Sequence, residues 1–272
     1  YGKKGLDRLM KYKTSSSPLR KNNFEYKDKT FGKIFSPEEI GKYSSKIKSI
    51  CDSIIDSEGI ILIYSQYIDA GLIPVALALE ELGLIRYGDK KKSLLKNPPD
   101  YKMDAQTMKI VDKKASIANQ AKYAMITGDI YLSPKNEDEI IALTNSDNIN
   151  GEKIKVVLIS SAGSEGLDFT NIRQVHILEP WYNMNRIEQI KGRGIRSLSH
   201  CLLPFEQRNC EIFLHSTTFD NNVEPADRYI YRVAESKSVN IGKITRIIKE
   251  NAVDCLLNIG QTNFTQDKLA TL

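Results

Sequence analysis

The chain has 272 residues, of which 41% are hydrophobic and 27% charged, and its formal net charge is +5. Such a composition is ordinary for a globular protein, and the length allows one substantial core with a smaller appendage. No apolar run approaches the roughly 18 residues of a membrane-spanning helix, which argues against a membrane protein. Four cysteines are too few for a disulfide scaffold and favour a reducing compartment. The start, without an initiator Met or signal segment, indicates an excised fragment or a processed product.

The positive charge is unevenly distributed. Residues 1–33 carry ten Lys and Arg against three Asp and Glu, and residues 86–114 carry nine against four. These segments therefore have net charges of +7 and +5, and the rest of the chain must sum to −7. Two separated basic segments suit a polyanionic partner such as nucleic acid. Solvated lysine-rich loops explain either segment alone equally well.

The first third of the chain predicts a basic arm, two helices and a strand. Residues 1–35, rich in Lys, Ser and Asn, are predicted to form a linker or extended arm. Residues 36–39 (S-P-E-E) offer an N-cap, an N1 proline and a capping-box glutamate, which predicts a helix start. A second helix is predicted over residues 44–56. Its apolar stripe comprises Ile47, Ile50, Cys51, Ile54 and Ile55.

Short apolar runs then alternate with helical patterns. The predicted strands are 60–64, 123–126, 155–159, 174–178 and 211–215, and the predicted helices are 70–82, 134–145 and 185–196. Residues 86–120 interrupt this pattern and are predicted to be an insertion in a loop. The alternation predicts a three-layer α/β domain with a mostly parallel sheet over residues 36–220. Residues 221–272 are predicted to form a helical extension, interrupted at Gly242.

A loop rich in small residues follows the strand at 155–159. Residues 160–169 read S-S-A-G-S-E-G-L-D-F. In an open α/β sheet, ligands bind beyond the carboxyl ends of the strands, and small residues let the backbone approach them closely. The hydroxyls of Ser160, Ser161 and Ser164 can reach phosphate oxygens. A plain strand-to-helix turn explains this loop equally well when it is taken alone.

A second segment, residues 189–196 (Q-I-K-G-R-G-I-R), supports a functional interpretation. If it is helical, Gln189, Arg193 and Arg196 lie on one face. Two neighbouring guanidiniums form a fork that can bind a polyphosphate and stabilise charge in phosphoryl transfer. Gly192 and Gly194 each cost a helix about 1 kcal/mol, which indicates close packing nearby. A solvated basic helix face would explain the charges but not these glycines.

The two segments, in this order and separation, closely resemble motifs V and VI of superfamily 2 helicases. Residues 61–66 (I-L-I-Y-S-Q) are similar to motif IV, so the resemblance spans about residues 44–215 and implies a second, RecA-like motor domain. E-P-W-Y-N at 179–183, R-x-x-S-H at 196–200 and R-x-x-Y-x-x-A at 228–234 resemble a narrower group. These are helicases of large cytoplasmic DNA viruses, similar to the poxvirus early transcription factor large subunit and nucleoside triphosphatase.

The resemblance implies roles for individual residues. Arg196 would be the arginine finger, with Arg193 its partner on the γ-phosphate and Gln189 ordering both. Gly166 and Asp168 would lie at the ribose edge of the nucleotide. The implied contacts to the sugar-phosphate backbone of DNA or RNA are Ser65, Gln66, Thr127, Gly128, Ser160 and Ser161.

The resemblance also implies parts that this sequence lacks. It contains neither a G-x-x-x-x-G-K-[ST] phosphate loop nor an acidic motif at a strand end. ATP and Mg²⁺ would therefore be held mainly by the N-terminal motor domain of the same polypeptide, and this chain alone would not hydrolyse ATP. A viral RNA polymerase is a further implied partner, and the location would be the host cytoplasm or the virion.

Other interpretations remain open at this stage. A helicase-derived module could bind nucleic acid or a polymerase without catalysis, and a Rossmann-type transferase would bind a small nucleotide unaided. His200, Cys201, Cys210 and His215 do not have a usual zinc spacing, so no metal site is predicted. His176 is predicted to be a core histidine, and Trp181 is predicted to pack on the sheet rather than stack on a base.

Overall fold

The computed structural model describes residues 2–11, 24–27, 31–88, 93–112, 119–129, 132–133, 136–161, 166–219, 223–257 and 259–262. Its longer elements, in chain order, are α1 (Gly2–Leu9), β1 (Met10–Lys11), β2 (Glu25–Tyr26), α2 (Ile40–Tyr43), α3 (Ser45–Ile55), β3 (Ile60–Tyr64), a π-helix (Ile68–Leu72), α4 (Ile73–Glu81), β4 (Ile85–Arg86), β5 (Tyr101–Met103), β6 (Ile110–Asp112), β7 (Lys122–Ile126), α5 (Glu137–Thr144), β8 (Val156–Ile159), β9 (Ile172–Ile177), α6 (Met184–Gly194), β10 (Glu211–Leu214), α7 (Ala226–Glu250) and α8 (Ile259–Thr262).

Six strands form the central sheet, in the order β10-β9-β3-β8-β7-β4, and every neighbouring pair is parallel. Alternate residues of β3 face opposite sides of this sheet. Ile61 and Ile63 join one hydrophobic cluster together with residues of α3 and α4. Ile60 and Leu62 join a second cluster together with residues of α5 and α6. The predicted three-layer α/β architecture is therefore confirmed.

The strand order determines where a ligand can approach. β8 and β9 lie on either side of β3, so the chain crosses β3 between them. The carboxyl ends of these three strands consequently meet at one edge of the sheet. The residues that follow them, beginning with Ser65, Ser160 and Leu178, lie together at this carboxyl edge. Open parallel sheets bind ligands at such a crossing point.

The predicted extended arm is wrong for the described residues before Ser36. Residues 2–9 form α1, and Leu6, Met10 and Phe24 are buried in the main hydrophobic cluster. Phe24 N–H donates to the Leu94 carbonyl at 2.7 Å, which fastens this segment to the insertion. A few well-spaced apolar residues are enough to dock a segment whose average composition is polar. Residues 12–23 and 28–30 lie outside the described part.

The insertion predicted at 86–120 contains the β5–β6 hairpin and is fixed by a buried carboxylate at the end of α4. Glu80 accepts hydrogen bonds from the N–H groups of Leu94 and Leu95, both at 2.7 Å, and from the Tyr123 hydroxyl at 2.6 Å. Because α4 returns the chain from the carboxyl edge, Glu80 lies toward the amino edge of the sheet. The two basic segments of the sequence therefore meet away from the carboxyl edge, where Lys96 pairs with Glu25.

Several predicted element boundaries are corrected. The S-P-E-E segment forms a turn, in which Ile40 N–H donates to the Ser36 carbonyl, and the helix begins only at Ile40.

α7 runs unbroken through Gly242, because one exposed glycine costs about 1 kcal/mol and cannot interrupt a helix of 25 residues. The prediction that this helix docks on the domain holds for its first turns, where Ala234 is buried. Exposed apolar residues of its second half are Val239, Ile241, Ile244, Ile247 and Ile248.

The prediction that His176 is a core histidine is confirmed. His176 is fully buried in β9, with its Nδ1 atom 3.0 Å from Nε2 of His215 and its Nε2 atom 3.2 Å from Oε1 of Gln174. Its ring stacks on Phe213 of β10 with centroids 4.5 Å apart. Burial, together with the neighbouring His215, lowers the pKa of His176 to about 3. Burial, together with Lys46, lowers the pKa of His215 to about 4.

These two histidines predict a loss of stability in mild acid. An unfolded chain takes up protons on histidine near pH 6.5, whereas the folded chain resists protonation until about pH 4 or below. The free energy of unfolding should therefore fall as the pH is lowered from 7 to 5, which urea titrations can measure. A variant with His176→Gln and His215→Gln should show a shallower decline. An equally steep decline in the variant would show that His176 and His215 do not cause the loss of stability.

Candidate functional site

Two arginines converge on one carboxylate at the end of α6. Arg196 makes a bidentate pair with Asp168, from Nη1 to Oδ2 at 2.8 Å and from Nη2 to Oδ1 at 2.7 Å. Nη1 of Arg193 lies 3.7 Å from Oδ1 of Asp168 and donates to the Leu167 carbonyl at 2.9 Å. The structure thus brings together three residues that the sequence analysis assigned to a nucleotide. α6 ends at Gly194, however, so Arg196 reaches the cluster from the following turn and not from the helix face.

The arginine cluster is ordered but accessible. Arg196 Nε donates to the Gly192 carbonyl at 3.0 Å, and its backbone N–H donates to Ser199 Oγ at 3.2 Å. The side chains of Arg193, Arg196 and Asp168 are 20%, 45% and 60% exposed. Exposed ion pairs contribute only about 0–1 kcal/mol, because water screens them. A polyphosphate with several negative charges can therefore displace Asp168 from the arginines.

The two glycines of this segment have different environments. A Cβ atom on Gly194 would lie 2.9 Å from Cγ2 of Val175 and 3.2 Å from Cγ2 of Ile172 in β9. A Cβ atom on Gly192 would meet no atom of the described residues within 4 Å. The close packing predicted from the paired glycines is thus present at Gly194, and the domain itself offers no such contact at Gly192.

Two further predicted residues adjoin this cluster. Gly166 is exposed two residues before Asp168 and has a φ angle of +74°, in the left-handed region that favours glycine. Gln189 is exposed on α6, one turn before Arg193. Residues 162–165 of the loop, including Ser164, lie outside the described part of the chain.

Three of the six residues assigned to nucleic acid have buried hydroxyls that are used within the domain. Ser65 Oγ donates to Glu179 Oε1 at 2.6 Å, and Ser160 Oγ donates to the Thr127 carbonyl at 2.7 Å. Thr127 Oγ1 lies 2.5 Å from Ser133 Oγ. In this conformation the three hydroxyls hold the loops at the carboxyl edge in place. The contacts of these three residues with nucleic acid stay a prediction.

The other three residues lie where a ligand can reach them. Gly128 is exposed, with a φ angle of +71°, and Gln66 and Ser161 are half-buried at the same edge. Ser161 Oγ accepts a hydrogen bond from Nη2 of Arg186 at 2.8 Å. The Arg186 guanidinium lies 4.2 Å from the centroid of the Trp181 ring, so Trp181 serves as its stacking partner. Arg186 adds a positive charge to this edge.

Glu179 and Arg186 were missed by the sequence analysis. Besides the Ser65 hydroxyl, Glu179 accepts the backbone N–H of Gln66 at 3.3 Å, so it holds the turn after β3. Burial raises the pKa of Glu179, although these two hydrogen bonds oppose the effect. A signal for Arg186 was present, because it precedes Arg193 by seven residues, which is two turns of one helix face. Glu179 was part of the E-P-W-Y-N segment that carries the family resemblance, but that resemblance gave it no role of its own.

One helix therefore connects two candidate surfaces. Arg186 lies at the start of α6, at the carboxyl edge, and Arg193 lies about 10 Å further along the helix axis. The first surface is polar and suited to a sugar-phosphate backbone, whereas the second suits a polyphosphate.

Within the described residues, no group of three His, Cys, Asp or Glu side chains is placed to hold a metal ion. No helix of the described ranges is long and apolar enough to cross a membrane.

The environments of the two glycines predict opposite effects of the same substitution. Gly192→Ala should raise the melting temperature of the isolated chain, because alanine is favoured over glycine in a helix by about 1 kcal/mol. Gly194→Ala should lower it, because the new methyl group would push α6 away from Val175. Differential scanning calorimetry can compare the two variants. Equal effects of both substitutions would contradict the packing described here.

Comparison with known proteins identifies the family of this chain. Residues 45–197 match the profile of the helicase conserved C-terminal domain. The termination factor NPH-I homolog of African swine fever virus is 31% identical over 253 residues, which cover 82% of this chain and 34% of that protein. A protein of Invertebrate iridescent virus 3 described as a helicase is 29% identical over 276 residues, covering 98% of this chain and 25% of that protein.

A mimivirus relative and one solved structure complete the comparison. A protein of Acanthamoeba polyphaga mimivirus described as an ATP-dependent RNA helicase is 28% identical over 239 residues, covering 87% of this chain and 43% of that protein. The crystal structure of the C-terminal part of the Fun30 ATPase domain is 16% identical, with a TM-score of 0.44, and the match covers 73% of this chain and 50% of that one.

The chain spans less than half the length of each of these viral relatives. The match over residues 45–197 includes the carboxyl edge, all of α6 and both clustered arginines. This chain therefore belongs to the family of helicase conserved C-terminal domains, and it is similar to helicases and termination factor homologs of large DNA viruses.

Proposed function

We propose that this chain is the second motor domain of a nucleic-acid-dependent ATPase, a helicase or translocase. In this proposal Arg193 and Arg196 act on an ATP molecule held by the N-terminal motor domain of the same polypeptide. The observation that carries it is the convergence of both guanidiniums on Asp168, at an exposed position and in a sequence without a phosphate-binding loop. Such a cluster can stabilise charge on a phosphoryl group, and in this proposal the phosphate-binding loop that holds the nucleotide lies on the other domain.

The chemistry assigned to this chain is electrostatic. A Mg²⁺ ion, held mainly by the other domain together with ATP, would neutralise charge on the phosphates. When the two domains close, Arg196 and Arg193 exchange Asp168 for the γ-phosphate and stabilise its charge as the terminal bond breaks. Gln189 orders the arginines, while Gly166 and Asp168 adjoin the ribose. Without the other domain, the chain is expected to be inactive.

The carboxyl edge is proposed to contact DNA or RNA. Gln66, Gly128, Ser161 and Arg186 offer hydrogen bonds and one charge to a sugar-phosphate backbone, and such contacts carry no sequence information. α6 connects this edge to the arginine cluster. When the arginines approach the ATP on the other domain, nucleic acid bound at the carboxyl edge would therefore move relative to that domain. The names of the relatives, a termination factor homolog and an ATP-dependent RNA helicase, support a role in viral transcription or genome processing. A viral RNA polymerase as partner and a location in the host cytoplasm or the virion are proposed along with that role.

A second candidate function is a catalytically inactive module that binds nucleic acid or a polymerase. The observation that favours it is the bidentate pairing of Arg196 with Asp168 within the domain. This candidate predicts that the longer protein does not depend on Arg196 for any ATP turnover.

Replacement of Arg196 separates these two functions. In the longer protein that contains this chain, Arg196→Ala should lower kcat for ATP by roughly a thousandfold or more. The Kd for nucleic acid should stay within a few-fold of the wild-type value, because Arg196 lies away from the carboxyl edge. Arg246→Ala, a change of the same type on the exposed part of α7, serves as control and should leave turnover intact. Unchanged turnover in Arg196→Ala would sink the motor proposal.

Salt dependence tests the carboxyl edge. Each phosphate contact made by a cation adds about 0.7 to 0.9 to the slope of log Kd against log salt concentration. Arg186→Gln should therefore lower the slope by nearly one unit in fluorescence anisotropy titrations with a labelled oligonucleotide. Lys102→Gln, in the insertion near the amino edge, should leave the slope unchanged. An unaltered slope in Arg186→Gln would remove Arg186 from the interface.

A further inference from the structure

The segment that follows α6, residues 195–208, is held in place by its polar groups. The Ser199 carbonyl accepts the N–H of Asn171 at 2.9 Å, and His200 Nε2 lies 2.7 Å from the Ile172 carbonyl. Arg208 Nη2 donates to the Cys201 carbonyl at 3.0 Å. Ser199 and Leu203 are buried. The segment is therefore an ordered structure that packs against the amino end of β9.

Four large apolar side chains of the same segment are exposed, although Leu203 is buried. Ile195, Leu198, Leu202 and Phe205 are 42%, 80%, 60% and 79% exposed. We call these four residues the apolar loop face. Leu198 also has a φ angle of +67°, which is unfavourable for a residue with a branched side chain. An ordered loop with polar groups inside and large apolar groups outside is the arrangement expected where another protein surface docks.

The position of this face indicates what covers it. Leu198 is two residues after Arg196, and the Arg196 N–H donates to Ser199 Oγ at 3.2 Å, so the loop and the arginine form one rigid unit. Under the proposed function, Arg196 acts on a phosphate held by another domain. The surface of that domain must then come within a side chain's length of Arg196 and so meet the neighbouring loop. The viral relatives are more than twice as long as the region they share with this chain, which leaves enough sequence for such a domain.

We propose that the apolar loop face is the docking surface for the nucleotide-holding domain of the same polypeptide. It is covered when the two domains close on ATP and exposed when they open. This inference rests on the proposed function and adds the surface on which closure takes place. Burial of the apolar side chains favours the closed state, and the rigid link to Arg196 delivers the guanidinium to the phosphate in the same movement.

A cysteine within the loop provides the test. Cys201 is exposed, whereas Cys51 is buried and Cys210 and Cys255 are half-buried. The longer protein would be treated with iodoacetamide, and the rate of modification at Cys201 would be measured by mass spectrometry of its peptide. Addition of ADP, aluminium fluoride and an oligonucleotide should slow this rate by roughly tenfold, the factor expected when about nine-tenths of the molecules are closed. Cys255, on the C-terminal extension, provides an internal control whose rate should not change.

A pair of substitutions tests the role of the face in turnover. Leu202→Ser with Phe205→Ser should lower kcat for ATP about tenfold and remove the protection of Cys201, because closure loses its apolar contact. The Kd for the oligonucleotide should not change. Ile244→Ser with Ile248→Ser removes similarly exposed side chains from α7 and should leave kcat and the protection intact.

The outcomes separate this inference from the proposed function. If Arg196→Ala is inactive but Cys201 stays unprotected in the wild-type protein, the docking surface is wrong and the motor proposal stands. Protection that depends on protein concentration would assign the face to a second copy of the chain and overturn the inference. If Arg196→Ala is fully active, the motor proposal itself fails. The labelling of wild-type protein needs no variant, so poor folding of the double serine variant would not prevent a decision.

Discussion

The contact between α6 and β9 fixes the geometry of both candidate surfaces. Gly194 lies against Val175 and Ile172 so closely that a single methyl group would have to displace the helix, and Ile187 and Ile190 bury the rest of this helix face against the sheet. Because protein interiors are packed as densely as organic crystals, a helix seated in this way has little freedom to shift. Arg186 and Arg193 extend from the two ends of this fixed helix. The helical rise sets the distance between them along the axis, and the packing on β9 fixes their position on the sheet, so neither depends on a ligand.

The carboxyl edge is organised by hydrogen bonds that its loops make among themselves. Glu179 holds the turn after β3, and the Ser160 hydroxyl joins the loops after β7 and β8 by donating to the Thr127 carbonyl. A surface prepared in this way does not have to be ordered when a ligand binds, so less conformational entropy is lost. Lys46 extends the arrangement to the C-terminal helix, because it pairs with Asp227 of α7 at 2.5 Å and donates to the Leu178 carbonyl.

Sequence patterns predicted the features that depend on local chemistry. The β-branched run at 60–64 is a buried strand, because a parallel sheet covered on both faces buries consecutive apolar side chains on both sides. Arg193 and Arg196 were likewise expected to lie together near one helix end. Features that depend on tertiary contacts were not predictable. The buried hydroxyls of Ser65 and Ser160 look the same in sequence as exposed ones. The docking of Leu6 and Phe24 was hidden by the polar residues around them, and the exposure of Leu198 and Phe205 contradicts their apolar character.

Under the proposed function, the Asp168 pair would explain how this domain carries arginines for a reaction that needs a second domain. The guanidiniums of Arg193 and Arg196, 20% and 45% exposed, repel each other where they share one carboxylate. Asp168 offsets one of the two positive charges while it remains largely in water, so the ion pairs are weak and easily exchanged. A phosphate with more charge, presented in a site from which water is excluded, offers a stronger partner than this carboxylate. Closure of the two domains would then require no rearrangement within this one, since the side chains are already oriented and only their counter-ion changes.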